Sequence, residues 1–177
     1  SQLFTGFLQD ELELVEDRLR LTLGSKFEHN DFTGWEAQPD ARLAWLLTER
    51  QTVWLAGSRA VSIPSIAFND IQIPQLALPP TFVDVGPLGT LPVFPGFYGN
   101  PDLEAQEVLG GELGWRFQPR DTLSFDLATF YNWYDQLVFA RPQAPRLETS
   151  PVPWIQVPQL AANNARAETA GVEASVS

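Results

Sequence analysis

His29 is the only histidine in the chain and stands beside Asn30 and Asp31, so it is the one place where an imidazole and a carboxylate could together activate water. A hydrolase would also need a nucleophile or a second acid. No G-x-S-x-G elbow and no phosphate-cradling glycine run is present. His29 is therefore read as a solvated residue at a loop mouth, and no catalytic residue is assigned. Cysteine is absent, and the acidic residues lack calcium-loop spacing, so no metal ligand and no cofactor are assigned either. The side chains best suited to hold a ligand are Phe94, Phe97, Tyr98 and Trp154 with Arg141 and Arg146. Aromatic faces and guanidinium groups stack on flat or metal-chelating molecules and pair with acidic groups. Packing of loop against loop is the simpler use of the same rings, and the preferred one.

All six lie in or beside two long Pro-rich excursions, so what positions them is the framework that carries those excursions. Segments of period-2 patterning are joined by short polar turns at Val15-Glu16-Asp17, Thr48-Glu49-Arg50-Gln51 and Pro119-Arg120-Asp121. The alternate connections are long: about residues 30–38, 63–102 and 140–163. Successive connections of an up-and-down antiparallel sheet emerge at opposite ends. One end would therefore be clipped and the other would carry large loops, as in an outer-membrane barrel.

The two faces of the strands are legible. Leu19, Leu21, Leu23 and Phe27 alternate with Arg18, Arg20, Thr22, Lys26 and Glu28; Leu123, Phe125, Leu127, Tyr131 and Trp133 alternate with Thr122, Ser124, Asp126 and Asn132. Residues 103–118 set Leu109, Leu113, Trp115 and Phe117 against Glu104, Gln106, Glu112 and Arg116. Weaker runs at 3–14, 40–48 and 52–62, and a last one from near Ala165, bring the expected number to about seven. At ~3.3 Å per residue the clearest runs exceed what a tilted strand needs to cross a bilayer. Seven strands leave open edges, and Ser1 and Ser177 stand inside strand patterns, so a piece of a longer barrel is expected. Prolines 64, 74, 79, 80, 87, 92 and 95, and then 142, 145, 151, 153 and 158, mark the excursions as stiff loops rather than strands. Ile66, Phe68, Ile71, Ile73, Phe82, Phe94, Phe97 and Trp154 would anchor them.

A formal charge of −11 argues against nucleic acid as partner. Apolar runs of about five residues exclude a transmembrane helix. Trp35, Trp45, Trp54, Trp115 and Trp133 are read as interfacial anchors rather than carbohydrate-stacking rings. Gly110-Gly111 is read as a bend or bulge.

Four stretches together resemble the barrel of TonB-dependent outer-membrane receptors. They are Gly6-Phe7-Leu8-Gln9-Asp10-Glu11 with Leu19-Arg20-Leu21-Thr22-Leu23-Gly24; Ser58-Arg59-Ala60-Val61-Ser62-Ile63-Pro64-Ser65; Asn100-Pro101-Asp102-Leu103-Glu104-Ala105-Gln106-Glu107 with Glu112-Leu113-Gly114 and Phe130-Tyr131-Asn132-Trp133-Tyr134-Asp135; and Asn164-Ala165-Arg166-Ala167 with Gly171-Val172-Glu173. Ser62 stands where that family usually has Arg, and Gln106 where it has Glu. The resemblance implies that residues 1–177 are part of a 22-stranded barrel of the bacterial outer membrane, an all-β up-and-down antiparallel sheet with long external loops. It further implies contact with outer-membrane lipid and import of a ferric siderophore, cobalamin or similar ligand. Coupling to the TonB complex would run through a plug region that this chain lacks, together with the closing strands. Close approach of that plug is the alternative use of Gly110-Gly111. A passive porin, a surface-binding barrel, a barrel hydrolase and a soluble β-sandwich are the competing readings. The soluble reading requires the leucine faces to be buried against other protein.

Overall fold

The computed structural model describes the chain except for Ser1, Ala77 and the side chain of Ile66. The expectations resting on Ser1 and on Ile66 as an apolar anchor fall outside the described residues. The described residues form eleven strands: β1 (Leu3–Val15), β2 (Leu19–Asn30), β3 (Gly34–Thr48), β4 (Gln51–Ser62), β5 (Gln72–Ile73), β6 (Thr81–Asp84), β7 (Thr90–Tyr98), β8 (Gln106–Arg120), β9 (Leu123–Pro142), β10 (Arg146–Glu148) and β11 (Trp154–Val176). A short helix, α1, covers Ile66–Asp70. The chain divides into a wall unit (Ser1–Ser62, Ala105–Asp135, Arg166–Ser177) and a loop unit (Ile63–Glu104, Gln136–Ala165).

In the wall unit the long strands stand side by side in the order β1-β2-β3-β4-β8-β9-β11, which is chain order once the strands of the excursions are set aside. The five pairings from β1 to β9 are antiparallel. The expected seven long strands in up-and-down order are there. The connections differ in part. Residues 30–38 do not form a long loop: Asp31, Phe32 and Thr33 make a tight turn, and β3 begins at Gly34. The turn is held by Asn30, whose Oδ1 accepts from the N–H groups of Phe32 and Thr33, both at 2.8 Å, while its Nδ2 donates to Thr33 Oγ1. Gly34 supplies the positive φ of 76° that closes it. Short connections therefore occur at both ends of the wall, and the two long ones at one end. The register across Gly110-Gly111 is continuous from Glu107 to Phe117, so no bulge lies there; the irregularity falls between Phe117 and Arg120.

Residues opposite one another across a ladder share a face. The register therefore joins Leu12, Leu21, Leu43, Leu55, Leu113 and Thr129 into one row, and Trp45, Val53, Trp115 and Leu127 into the next. This face is solvent-accessible throughout: Leu8, Leu23, Leu55, Leu113, Leu127 and Val172 are all exposed. Trp45 and Trp115 stand toward the end that carries the turns at residues 16–18, 49–50 and 121–122, with Trp115, Phe117 and Phe125 stacked in succession. Trp35 and Trp133 stand toward the other. Trp35 and Trp45 are ten positions apart on β3, roughly 33 Å of strand, which at a ~40° tilt gives about 25 Å of height. That is the apolar thickness a barrel presents to lipid between its aromatic girdles. The exposed band removes the soluble-module reading.

The opposite face is polar. Arg42 lies 3.6 Å from Glu112, and Arg116 pairs with Asp126. Trp54 belongs to this face and not to the apolar one, a correction to its reading as an anchor. Its Nε1 donates to Glu112, and Arg42 lies 6.0 Å from its ring centre. The indole lies over Gly114, where an added Cβ would come within 2.0 Å of it. Gly110 is bounded by Asn132 and Ser58 on the same face.

Two outcomes follow for the complete barrel folded into lipid vesicles. Leu113→Arg, near the middle of the apolar band, is expected to cost about 2–4 kcal/mol. Ala56→Arg, on the polar face, should cost much less; denaturant titration of the two variants distinguishes the faces. Gly114→Ala should displace Trp54 and cost about 1–3 kcal/mol by overpacking, with a change in tryptophan fluorescence that Gly111→Ala, where a Cβ meets nothing within 4 Å, does not produce.

Candidate ligand-contact site

The loop unit contains strands that its proline content argued against. β7, β6, β5 and β10 all lie within the excursions, and β11 begins at Trp154, well before the expected start near Ala165. β7 pairs in parallel with β11 over Val93–Tyr98 and antiparallel with β6 and β5 on its other side. Proline fits β7 because a strand residue projects its N and C=O toward the same neighbour. The Pro95 carbonyl accepts from Leu76 N–H at 2.8 Å, so the N of Pro95 also points to that side, away from β11. There it faces the interval between the β6 and β5 pairings, where no ladder donor is required of it.

α1 packs on β7 through Phe68, whose ring lies 6.3 Å from that of Phe97, edge to face. Ser65 caps the helix by accepting from Ala67 N–H. The close approach requires glycine. A Cβ on Gly99 would lie 2.7 Å from the Asn69 and Phe68 carbonyl oxygens, and one on Gly96 would lie 2.7 Å from the Pro74 carbonyl oxygen.

The register of this small sheet sorts the six expected contact residues. Arg146 of β10 stands opposite Gln156 of β11, and Gln156 opposite Phe94 of β7. Trp154 and Tyr98 have the same parity as that row, so Arg146, Trp154, Phe94 and Tyr98 share one face. Their contacts agree: Phe94 and Trp154 meet edge to face at 5.7 Å, and Tyr98 Oη accepts from Gln156 Nε2 at 2.8 Å. Phe97 has the opposite parity and is used in packing against α1. Arg141, near the end of β9, is exposed, and its carbonyl accepts from Gln143 Nε2.

Gln156 was not singled out from the sequence. It is 4% exposed, and its Nε2 also donates to the Pro74 carbonyl at 2.8 Å, so one amide ties β11, β7 and the β5 connection together. The alternation Trp154-x-Gln156-x-Pro158 was the available signal, hidden because the prolines marked the segment as loop. The aromatic rings are half-buried against one another, as the loop-packing reading prefers, while the Arg146 side chain is exposed. The face offers ring edges, one guanidinium and amide groups. It can stack and hydrogen-bond, but it carries no nucleophile with a base.

His29 is the last residue but one of β2, beside the Asp31–Thr33 turn, and is half-buried rather than solvated. It is opposite Trp35, with ring centres 4.9 Å apart. Asp31 accepts from Gln2 N–H. Among the described residues no group of three or more His, Asp or Glu is placed to hold a metal ion.

Comparison with known proteins places this geometry. The chain is 28% identical over 176 residues to the iron-regulated outer membrane virulence protein of Vibrio cholerae serotype O1, covering 98% of this chain and 24% of that protein. Its fold matches the siderophore receptor PirA of Acinetobacter baumannii with a TM-score of 0.75 at 18% identity, over 98% of this chain and 25% of the receptor. It matches a ferric enterobactin receptor mutant from Pseudomonas aeruginosa, in complex with enterobactin, with a TM-score of 0.76 at 22% identity, over 97% and 24%. The chain thus spans about a quarter of the length of the relatives it matches. The family described as TonB dependent receptor-like, beta-barrel matches residues 2–177, and the chain belongs to it.

Proposed function

We propose that this chain is part of the wall and external rim of an outer-membrane receptor that imports a ferric siderophore in a TonB-coupled manner. The observation that carries the reading is the two-faced wall, with an exposed apolar band between aromatic rows on one side and a paired polar surface on the other. Such a wall separates lipid from an aqueous lumen. The relatives' names support the cargo: one is an iron-regulated outer membrane protein and others are siderophore receptors. They favour iron chelates over cobalamin. The wall does no chemistry of its own. Its partners would be membrane lipid, a plug carried elsewhere in the complete receptor, and through that plug the TonB complex.

First capture of the chelate would fall to the face bearing Arg146, Trp154, Phe94 and Tyr98, held in place by Gln156, with the exposed Arg141 as a further candidate. A guanidinium pairs with the acidic groups of an iron chelate, and ring edges exclude water around it. A passive porin would share the wall and lack the energy coupling.

The test is uptake of radiolabelled iron siderophores and of cobalamin by cells whose receptor gene is intact, deleted or altered. Siderophore uptake that requires TonB supports the reading. Uptake independent of TonB supports the porin, and uptake of cobalamin alone removes the iron assignment. Arg146→Ala and Trp154→Ala should each weaken siderophore binding about tenfold, a loss of about 1.4 kcal/mol, with surface expression unchanged. Unaltered affinity in both would remove the capture face and leave the wall standing.

A further inference from the structure

The ladder between β3 and β4 stops early. It runs only as far as Asp40 opposite Ser58, yet β3 remains paired to β2 as far as Gly34, and β4 remains paired to β8 as far as Ser62. Pro39 is the cause. Leu46 N–H donates to the carbonyl of Arg18, the residue that leads into β2, so the even positions of β3 face β2 and the odd ones, Pro39 and Ala37 included, face β4. The carbonyl of Arg50, the residue that leads into β4, accepts from Gln118 of β8, so the even positions of β4 face β8 and Arg59 and Val61 face β3. Pro39 therefore stands where β4 requires an N–H donor and has none to offer.

Side chains take the place of the missing ladder. Arg59 donates through its guanidinium to the Ala37 carbonyl, the group that would otherwise serve Val61 N–H. The same guanidinium reaches Glu107 at 2.7 Å and Glu36 at 3.5 Å. Val61 N–H donates instead to Gln38 Oε1, at 3.4 Å. That bond is long, and side-chain bridges can release without unzipping a strand. All of these groups belong to the wall unit.

We propose that the wall parts and recloses at this seam, with Arg59 as the latch. The β2–β3 hairpin beyond Pro39 then moves as a leaf, while the ladders on either side of the seam stay closed. The inference rests on the β3–β4 geometry and is independent of the cargo.

Hydrogen–deuterium exchange on the complete receptor in lipid nanodiscs, resolved to single amides, tests it. The Val61 amide is expected to exchange about tenfold or more faster than that of Leu55, which faces β3 where the ladder is intact. The amides of Ala60 and Ser62, which face β8, should stay slow. Arg59→Gln should quicken Val61 several-fold further, and Pro39→Ala, which restores the donor, should slow it toward Leu55. Equal exchange at Val61, Ala60 and Ser62 would mean ordinary fraying of a strand end and would overturn the proposal. So would a Val61 amide as protected as that of Leu55, or one unmoved by Pro39→Ala.

Discussion

One constraint governs the strands of this chain: a backbone polar group away from water must find its partner within the protein. The antiparallel ladders from β1 to β9 meet that demand along most of their length. With the backbone satisfied across the strands, the side chains are left to define two surfaces of opposite character. The apolar one needs no protein to cover it, which is why large leucines, phenylalanines and tryptophans are exposed in such number. The polar one is held by cross-strand pairs such as Arg116–Asp126 and by Trp54 lying over Gly114.

The same constraint explains how departures from the ladder are handled. Beyond Pro39 side chains replace the lost ladder: the Arg59 guanidinium donates to the Ala37 carbonyl, and the Gln38 amide oxygen accepts from Val61 N–H. In the loop unit Pro95 is aimed to the side where no strand requires its N–H. Glycine does the complementary task at positions 96 and 99, where backbone meets backbone too closely for any side chain. The loop unit is accordingly a packed sheet with a helix against it. Side chains carried on paired strands are positioned more exactly than side chains on free loops.

Particular residues show where the sequence was legible and where it was not. The alternation through Leu19, Leu21 and Leu23 could be read because membrane strands are long and their period does not change along the wall. The turn at Asp31–Thr33 was read as a longer excursion because its residues are turn formers and Pro39 follows soon after. What shortened it was Asn30 folding its amide back over two N–H groups, an event of local geometry. β7 was missed because proline was weighed as a strand breaker without knowing which side of the strand its nitrogen would face. Trp54 was placed with the other tryptophans because ring type, unlike parity, does not reveal a face.

What the sequence by itself determined is therefore the period, the number of long strands, the two-faced wall and the family, since each is written in residues close along the chain. Only the tertiary structure decided which residues of the contact set share a face. Arg146, Gln156 and Phe94 come from three strands, and their row exists only in the register between them. Phe97, one residue from Tyr98, falls on the other face. The seam between β3 and β4 was decided in the same way. It depends on which neighbour each backbone group addresses, and that is a property of paired strands that no single strand contains.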